Sequence, residues 1–524
     1  MSRPVDLHER LAPLLVFALL AFLSLTTLLH HELWRDEWQA WMIAKASPTF
    51  WDLYKNTRYE GHPALWFVCL QGLTRLSENP LAMQLFHWGL MLTSAALMLA
   101  RGPFPLWAKT LLLFGYFPLF EYGIISRNYA WSVLLLFAFC AVGESRKPST
   151  LAARLVLLAL LPHTNVFGMI FSILLMAYLV GTWMESPETG KMRRRRDLWI
   201  LFGGGLLWGT SLLGAIHWVS PPPDHIWAGK EQYFLSVEWM LQTLSALWNA
   251  YVPVPEPAVG FWNTNILSTI WLKAMLGVLL WIFLAGTFLK RKKLLLLFTA
   301  GTLCVLAFFY TRYFGYTRHH GHLFLWLIVC LWLGHVFSRP SDPGPPVDFF
   351  SVWHRNSRTL LVSLLCLHGV VGVGACLADW QHVFSASDST IREIRRRHLD
   401  QMPVVGETDN ISSPVAGGLG KEFYYARGGR RGDFCLWRRD RQQVILMPLA
   451  VALSAGAGDQ LLVWSYHPTQ PLPESVEFLF SIPAGISSDE TYFVYRLHSG
   501  GMQGLPPREI ALHLRPMFTG NPYD

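Results

Sequence analysis

Long apolar runs separated by short polar or basic segments fill the first three-quarters of the chain. Such runs occur at 11–29, 81–100, 106–122, 128–143, 150–162, 164–183, 198–218, 266–289, 294–310, 323–338 and 359–378. A helix of about 20 apolar residues crosses the hydrocarbon layer of a bilayer, and in that layer a helix satisfies its own backbone hydrogen bonds. The pattern therefore predicts a polytopic α-helical membrane protein with about eleven spans. The first run is too long for the apolar core of a signal peptide, and no small-residue cleavage site follows it, so it reads as a retained span.

The polar segments between the runs set the expected sidedness. Arg146-Lys147, Arg193 to Arg196 and Lys290 to Lys293 all fall on one side if the N-terminus is cytoplasmic, as the bias of Lys and Arg toward the cytoplasm requires. Segments 30–80, 123–127, 219–265 and 311–322, and the tail after the last run, then lie outside. A net charge of +8 on a soluble protein would raise nucleic acid as a partner. Here the clusters between spans account for it, and no nucleic acid is expected. Localisation in a bacterial inner membrane follows, with membrane lipids as surroundings.

The first outside segment holds two more elements. Trp34, Trp38 and Trp41 recur at helical spacing, which predicts a helix with a tryptophan face and with Asp36 pointing away from it. Such a face reads as an anchor at the membrane interface. Ala64 to Leu76 is apolar but interrupted by Gln71 and Arg75, so it is expected to lie along the interface rather than cross it. Further on, Tyr233 to Tyr251 is amphipathic and 339–358 reads as a cytoplasmic linker. From Asp379 the composition becomes that of a small soluble α/β domain. A helix capped by Asp388 or Ser389 is expected to run to about His398. Strands are expected near Pro403–Val405, Phe434–Trp437, Gln460–Tyr466, Val476–Phe480 and Thr491–Leu497. The expected division is 1–378 for the membrane domain and 379–524 for an extracytoplasmic domain. Of seven cysteines only Cys435 lies in the tail, so the tail forms no internal disulfide.

Polar side chains collect at the outer ends of the spans. They are Asp36 and Glu37, Glu60-Gly61-His62-Pro63, Glu121 with Arg127, His163-Thr164, and Arg318-His319-His320-Gly321-His322. Charges at a membrane face are tolerated in water or in a polar cavity, and five such groups on one face can converge on one site. Each also has a plainer role: a solvated acid pair, a helix cap, lipid headgroup contacts for the arginines, an interhelical hydrogen bond for His163. Together they suit one task. Carboxylates would take a proton from an acceptor hydroxyl, Arg and His would neutralise a leaving phosphate, and apolar helix faces would hold a lipid chain. That is the equipment for moving a sugar from a lipid-phosphate donor. The clustered histidines leave a divalent metal open, although adjacent histidines without cysteine are a weak metal signal.

On these residues the chain resembles a GT-C glycosyltransferase of the protein O-mannosyltransferase and aminoarabinose-transferase superfamily. The likeness spans roughly 10–340: the acidic pair Asp36-Glu37, Gly61-His62-Pro63 heading the interfacial helix, Glu121 followed by Arg127, His163-Thr164, and a soluble domain after the last span. It departs from the family in the late loop, where Arg318-His319-His320-Gly321-His322 stands in place of an Arg-Tyr-Leu type of stretch. The resemblance implies a GT-C fold, a polyprenyl-phosphate sugar donor, and a glycan, lipid or protein acceptor. It also implies Asp36 as catalytic base with Glu37 as its neighbour or alternate. His62, Arg127 and Arg318 become phosphate contacts, with Glu121, His163 and His319 completing the site. The alternatives are a transporter or flippase of a lipid-linked sugar, which would need no base, and a non-catalytic subunit of an envelope polysaccharide assembly system.

Overall fold

The computed structural model describes residues 7–143, 147–185, 191–226, 236–335, 349–468 and 472–518. Among the described residues, every run expected to span lies mostly on helical backbone. Seven helices among the described residues are long and apolar enough to cross a membrane: Leu11–His30, Leu81–Arg101, Val166–Met184, Arg195–Val219, Ile270–Phe288, Lys292–Thr311 and a final one that begins at Arg355. Tyr129–Val142, Pro148–Leu160 and Thr317–Leu333 are shorter. Together they form a polytopic helical bundle.

One span differs from expectation in a way that shapes the polar end. The run 106–122 is not one helix. Leu106–Leu113 ends at Phe114, and a wider turn, Tyr116–Glu121, follows around Pro118. Proline offers no N–H and crowds the preceding turn, so the ladder breaks there. The break lets Tyr122 turn inward and donate to the Arg318 carbonyl at 2.7 Å. Gly321 makes room for it, because a Cβ at that position would lie 2.4 Å from the Phe117 ring and 2.5 Å from the Tyr122 hydroxyl. The expected linker 339–358 is helical from Phe349 onward, as the start of the helix Phe349–Gln381; Arg146 and Tyr233 lie outside the described residues.

The loop 30–80 holds three helices, Arg35–Lys45, Phe50–Thr57 and Ala64–Thr74. The tryptophan face is not turned to lipid as expected. Trp34 and Trp41 are fully buried, and Trp34 packs edge-on against Trp262 with ring centres 4.6 Å apart. Periodicity marks the apolar face of a helix but not what covers it, and here the covering is the protein itself.

The tail is a mixed six-stranded sheet packed with helices. In chain order the strands are β1 (Val404–Gly406), β2 (Phe423–Tyr425), β3 (Arg430–Gly432), β4 (Gln460–Trp464), β5 (Val476–Ile482) and β6 (Tyr492–Leu497), arranged β3-β2-β1-β4-β6-β5. β1 runs parallel to β2 and β4; the remaining pairs are antiparallel. Four expected strands are present. The fifth, 434–437, is a loop, and the helix expected from Asp388 begins earlier, at Ala386, with Ser385 as its cap. The tail helix Asp409–Leu419 lies directly on Arg35–Lys45. A Cβ on Gly417 would come within 2.9 Å of the Trp38 ring, so glycine permits this close approach.

Candidate functional site

The helix Arg35–Lys45 opens with Asp36 and Glu37 in its first turn, where the exposed N–H groups and the helix dipole favour carboxylates. The two acids then diverge. Glu37 is buried. Its Oε2 accepts the Trp34 N–H at 2.9 Å and lies 3.2 Å from His31 Nε2, while its Oε1 accepts the Ser126 N–H at 2.6 Å. His31 in turn pairs through Nδ1 with Asp379 at 3.0 Å. Burial acts against an imidazolium there, but Asp379 and Glu37 outweigh it and hold the His31 pKa up at about 10. Glu37 therefore fastens the first loop to the second and, through His31, to the last span.

Asp36 faces a different set of groups. Its side chain is 31% exposed, and Oδ2 lies 2.5 Å from Arg127 Nη1 and 4.0 Å from Arg318 Nη2. Arg35 Nε is 3.9 Å from Oδ1. Burial works against its charge, but Arg127, Arg318 and Arg35 together hold the Asp36 carboxyl below the usual carboxylate range. The Glu37–Ser126 bond fixes the chain one residue before Arg127 and one after Asp36, which aligns that ion pair.

His62 Nε2 accepts from Arg127 Nη2 at 3.1 Å. Burial, with Arg127 next, pulls the His62 pKa down to about 3. It is a neutral ring that orients the guanidinium. Arg318 is 7% exposed in its side chain, yet its guanidinium makes no hydrogen bond among the described residues, and its Nε is buried without a partner. It rests on aromatic faces instead, with its Cζ 4.8 Å from the Trp34 ring, 5.3 Å from Trp262 and 4.8 Å from Tyr316. Arg127 lies 5.8 Å from the same Trp34 ring. Tyr129, beside these groups, has a buried hydroxyl without a partner among the described residues. A buried arginine without an acceptor is costly unless an anion completes it.

The other expected residues sit around this centre. Glu121 is buried and accepts from Tyr116 OH and Trp262 Nε1, both at 3.0 Å, so it steadies the tryptophan beneath Arg318. His319 Nδ1 accepts the Tyr316 N–H at 2.9 Å and caps its own helix. His163 stands apart, 2.9 Å from Ser211; its neighbour Thr164 joins the cluster by accepting from Asn128, which follows Arg127, at 2.8 Å. The histidines of the late loop go to separate partners. Among the described residues no three His, Cys, Asp or Glu side chains converge on a metal position.

Sequence reasoning passed over one further group. Gln39, three residues after Asp36 and so on the same helix face, donates from Nε2 to Glu60 Oε1 at 2.7 Å and to the Cys435 carbonyl at 2.9 Å; its Oε1 accepts the Cys435 N–H at 2.8 Å. Glu60 stood beside His62 in the sequence, but nothing local shows that a tail residue closes over it.

No family model matches the chain, and no curated protein matches it. Among solved structures, ArnT from Cupriavidus metallidurans in the apo state aligns over 94% of this chain and 99% of its own at 12% identity, with a TM-score of 0.50. The fold is ArnT-like. The same protein bound to undecaprenyl phosphate aligns over 96% of this chain and 100% of its own at 11% identity, with a TM-score of 0.49. The alignment to apo ArnT takes in the tail as well as the helical bundle, so the whole architecture is shared.

Proposed function

We propose that this protein is a membrane glycosyltransferase that moves a sugar from a polyprenyl-phosphate donor to an acceptor at the outer face of the membrane. Residues 1–378 would form the catalytic domain and 379–524 an extracytoplasmic domain. The observation that carries this reading is Arg318, a buried guanidinium with no hydrogen-bond acceptor, next to Arg127 at the polar end of a helical bundle. A phosphate monoester is the anion that two guanidinium groups hold best, through paired hydrogen bonds. When the sugar–phosphate bond breaks, negative charge grows on the leaving oxygen, and preorganised donors stabilise that charge. Asp36 now occupies part of this seat. Donor phosphate would take up Arg318, which Asp36 leaves at 4.0 Å, and share Arg127 with Asp36. The ArnT-like fold supports the same reading, because it supplies a bundle whose apolar faces can take a lipid chain.

The test is to incubate purified protein with polyprenyl-phosphate hexoses and pentoses and an extract of envelope lipids and glycans, then to measure freed lipid phosphate by mass spectrometry. Release that depends on Arg318 is expected. A protein that frees no lipid phosphate from any of these donors ends the reading.

A further inference from the structure

The geometry points to Glu60, rather than Asp36, as the general base: the acceptor's hydroxyl proton goes to Glu60 Oε2. This rests on the transferase reading above. In that step the acceptor oxygen forms a bond to the anomeric carbon of the sugar, the bond from that carbon to the phosphate oxygen breaks, and the electron pair leaves with the polyprenyl phosphate. The proton ends on Glu60, and nothing is oxidised or reduced.

Placement is the first reason. Gln39 carries Glu60 on the face of the helix that also carries Asp36, and the Glu60-Gly61-His62 turn brings His62 onto Arg127 at 3.1 Å. Glu60 thus borders the same centre. Gly61 takes φ +64° in this turn, a conformation that glycine adopts without strain. One carboxylate oxygen is fixed by Gln39, which is itself clasped by the Cys435 backbone. The other, Oε2, has no hydrogen-bond partner among the described residues and is free to accept.

Charge is the second reason. Asp36 is bound by three arginines, which makes it a poor proton acceptor. The charged and titratable groups facing Glu60 are Asp36 from its own loop, Arg127 from the second loop, and Asp409 and the Cys435 thiol from the tail. Burial pushes the Glu60 pKa up, the Gln39 bond and Arg127 pull it down, and Asp36 and Asp409 push it up again, to about 7. A base works best with a pKa near the working pH, and two carboxylates driven apart in this way divide the work between a fixed charge and a proton carrier.

The experiment measures single-turnover release of lipid phosphate from the active donor between pH 5 and 9. The wild-type rate should rise through an apparent pKa near 7. Glu60→Gln keeps the size and an oxygen for Gln39; it should lower the rate by about 10²–10⁴-fold, abolish the acid limb and leave the donor KM almost unchanged. Glu60→Asp should be slow but keep a limb, and it serves as the check if the glutamine variant melts early. Asp36→Asn should also be slow, but with its limb moved to lower pH, because one charge that raises Glu60 is gone. The proposal is overturned if Glu60→Gln retains the acid limb or the wild-type rate, or if Asp36→Asn is the variant that loses the limb. Either result leaves the transferase reading standing, whereas a wild-type protein inert toward every donor removes both.

Discussion

Two aspartates in this protein, Asp409 buried and Asp36 partly exposed, each hold a pair of arginines, and they differ in how completely the pairs are satisfied. In the tail, Asp409 accepts from Arg441 at 2.7 Å through Oδ1, and from Arg430 at 2.9 Å and the Leu436 N–H at 3.0 Å through Oδ2. Arg430 also donates to the Phe434 carbonyl, and Arg441 to Asn410. At the membrane end, Asp36 binds Arg127 closely and Arg318 only at 4.0 Å, and the Arg318 guanidinium has no hydrogen bond among the described residues. In the first cluster Arg441 Nε is left over, but both guanidinium groups have the carboxylate at hydrogen-bond distance and the cluster locks a loop; in the second, Arg318 has no carboxylate that close among the described residues. Composition is the same in both. What separates a brace from a binding site is the unfilled hydrogen-bonding capacity of a desolvated charge.

The largest expected effect is at Arg318. Arg318→Ala should reduce turnover by about 10³-fold without lowering the melting temperature, because it removes a buried charge that lacks an acceptor. Comparing lipid-phosphate release with thermal unfolding of the same sample checks this. A variant that loses activity only because it unfolds would erase the contrast with Asp409. Arg127 comes next. Arg127→Ala should be nearly inactive, and Arg127→Lys impaired by roughly 10–100-fold, since lysine keeps the charge but not the planar fork that reaches both Asp36 and His62. Free exchange for lysine at unchanged protein level would reduce Arg127 to a generic positive charge.

The tail cluster should respond in stability first. Arg441→Ala leaves Asp409 on Arg430 alone, with Oδ1 unpaired, and should cost about 1–3 kcal/mol, seen as early proteolysis of the tail. Any loss of turnover should follow from that unfolding. The smallest effect concerns the brace at His31. Its folded pKa of about 10 lies above the ordinary 6.5, so its contribution is complete below pH 6.5 and fades as pH rises toward 10. The melting temperature should decline across that window, and His31→Gln should flatten the decline; a wild-type melting curve indifferent to alkali would show that the imidazolium does not hold the loops. Sidedness is open to a direct check. A cysteine placed on the tail surface should react with an impermeant reagent from outside intact cells, and protection would move the whole site to the other face.

Much of this was legible in the sequence, for identifiable reasons. The spans were readable because lipid demands long apolar helices, and Asp36, His62, Arg127 and Arg318 stood out as polar groups at span ends. The break at Tyr116–Glu121 was marked only by Pro118, and a membrane helix can also absorb a proline without ending. Glu37 was expected as the neighbour or alternate of Asp36; its bonds to His31 and Ser126 give it a fastening role. β2 and β3, at three residues each, are too short to show an alternation. Gln39 and Cys435 carry no mark at all, since their pairing depends on how the tail sits on the first loop.

That pairing has a consequence for how the protein is made. Gln39 and Cys435 are 396 positions apart, and His31 meets Asp379 across 348. Contacts of such long range form late in folding, because the intervening chain must be closed first. The arginine seat can be built from loops already emerged, but the carboxylate beside it is steadied only once the ribosome has delivered most of the tail. A chain truncated before residue 435 should therefore insert with Gln39 unclasped and its first loop open to protease, whereas the full chain is protected there.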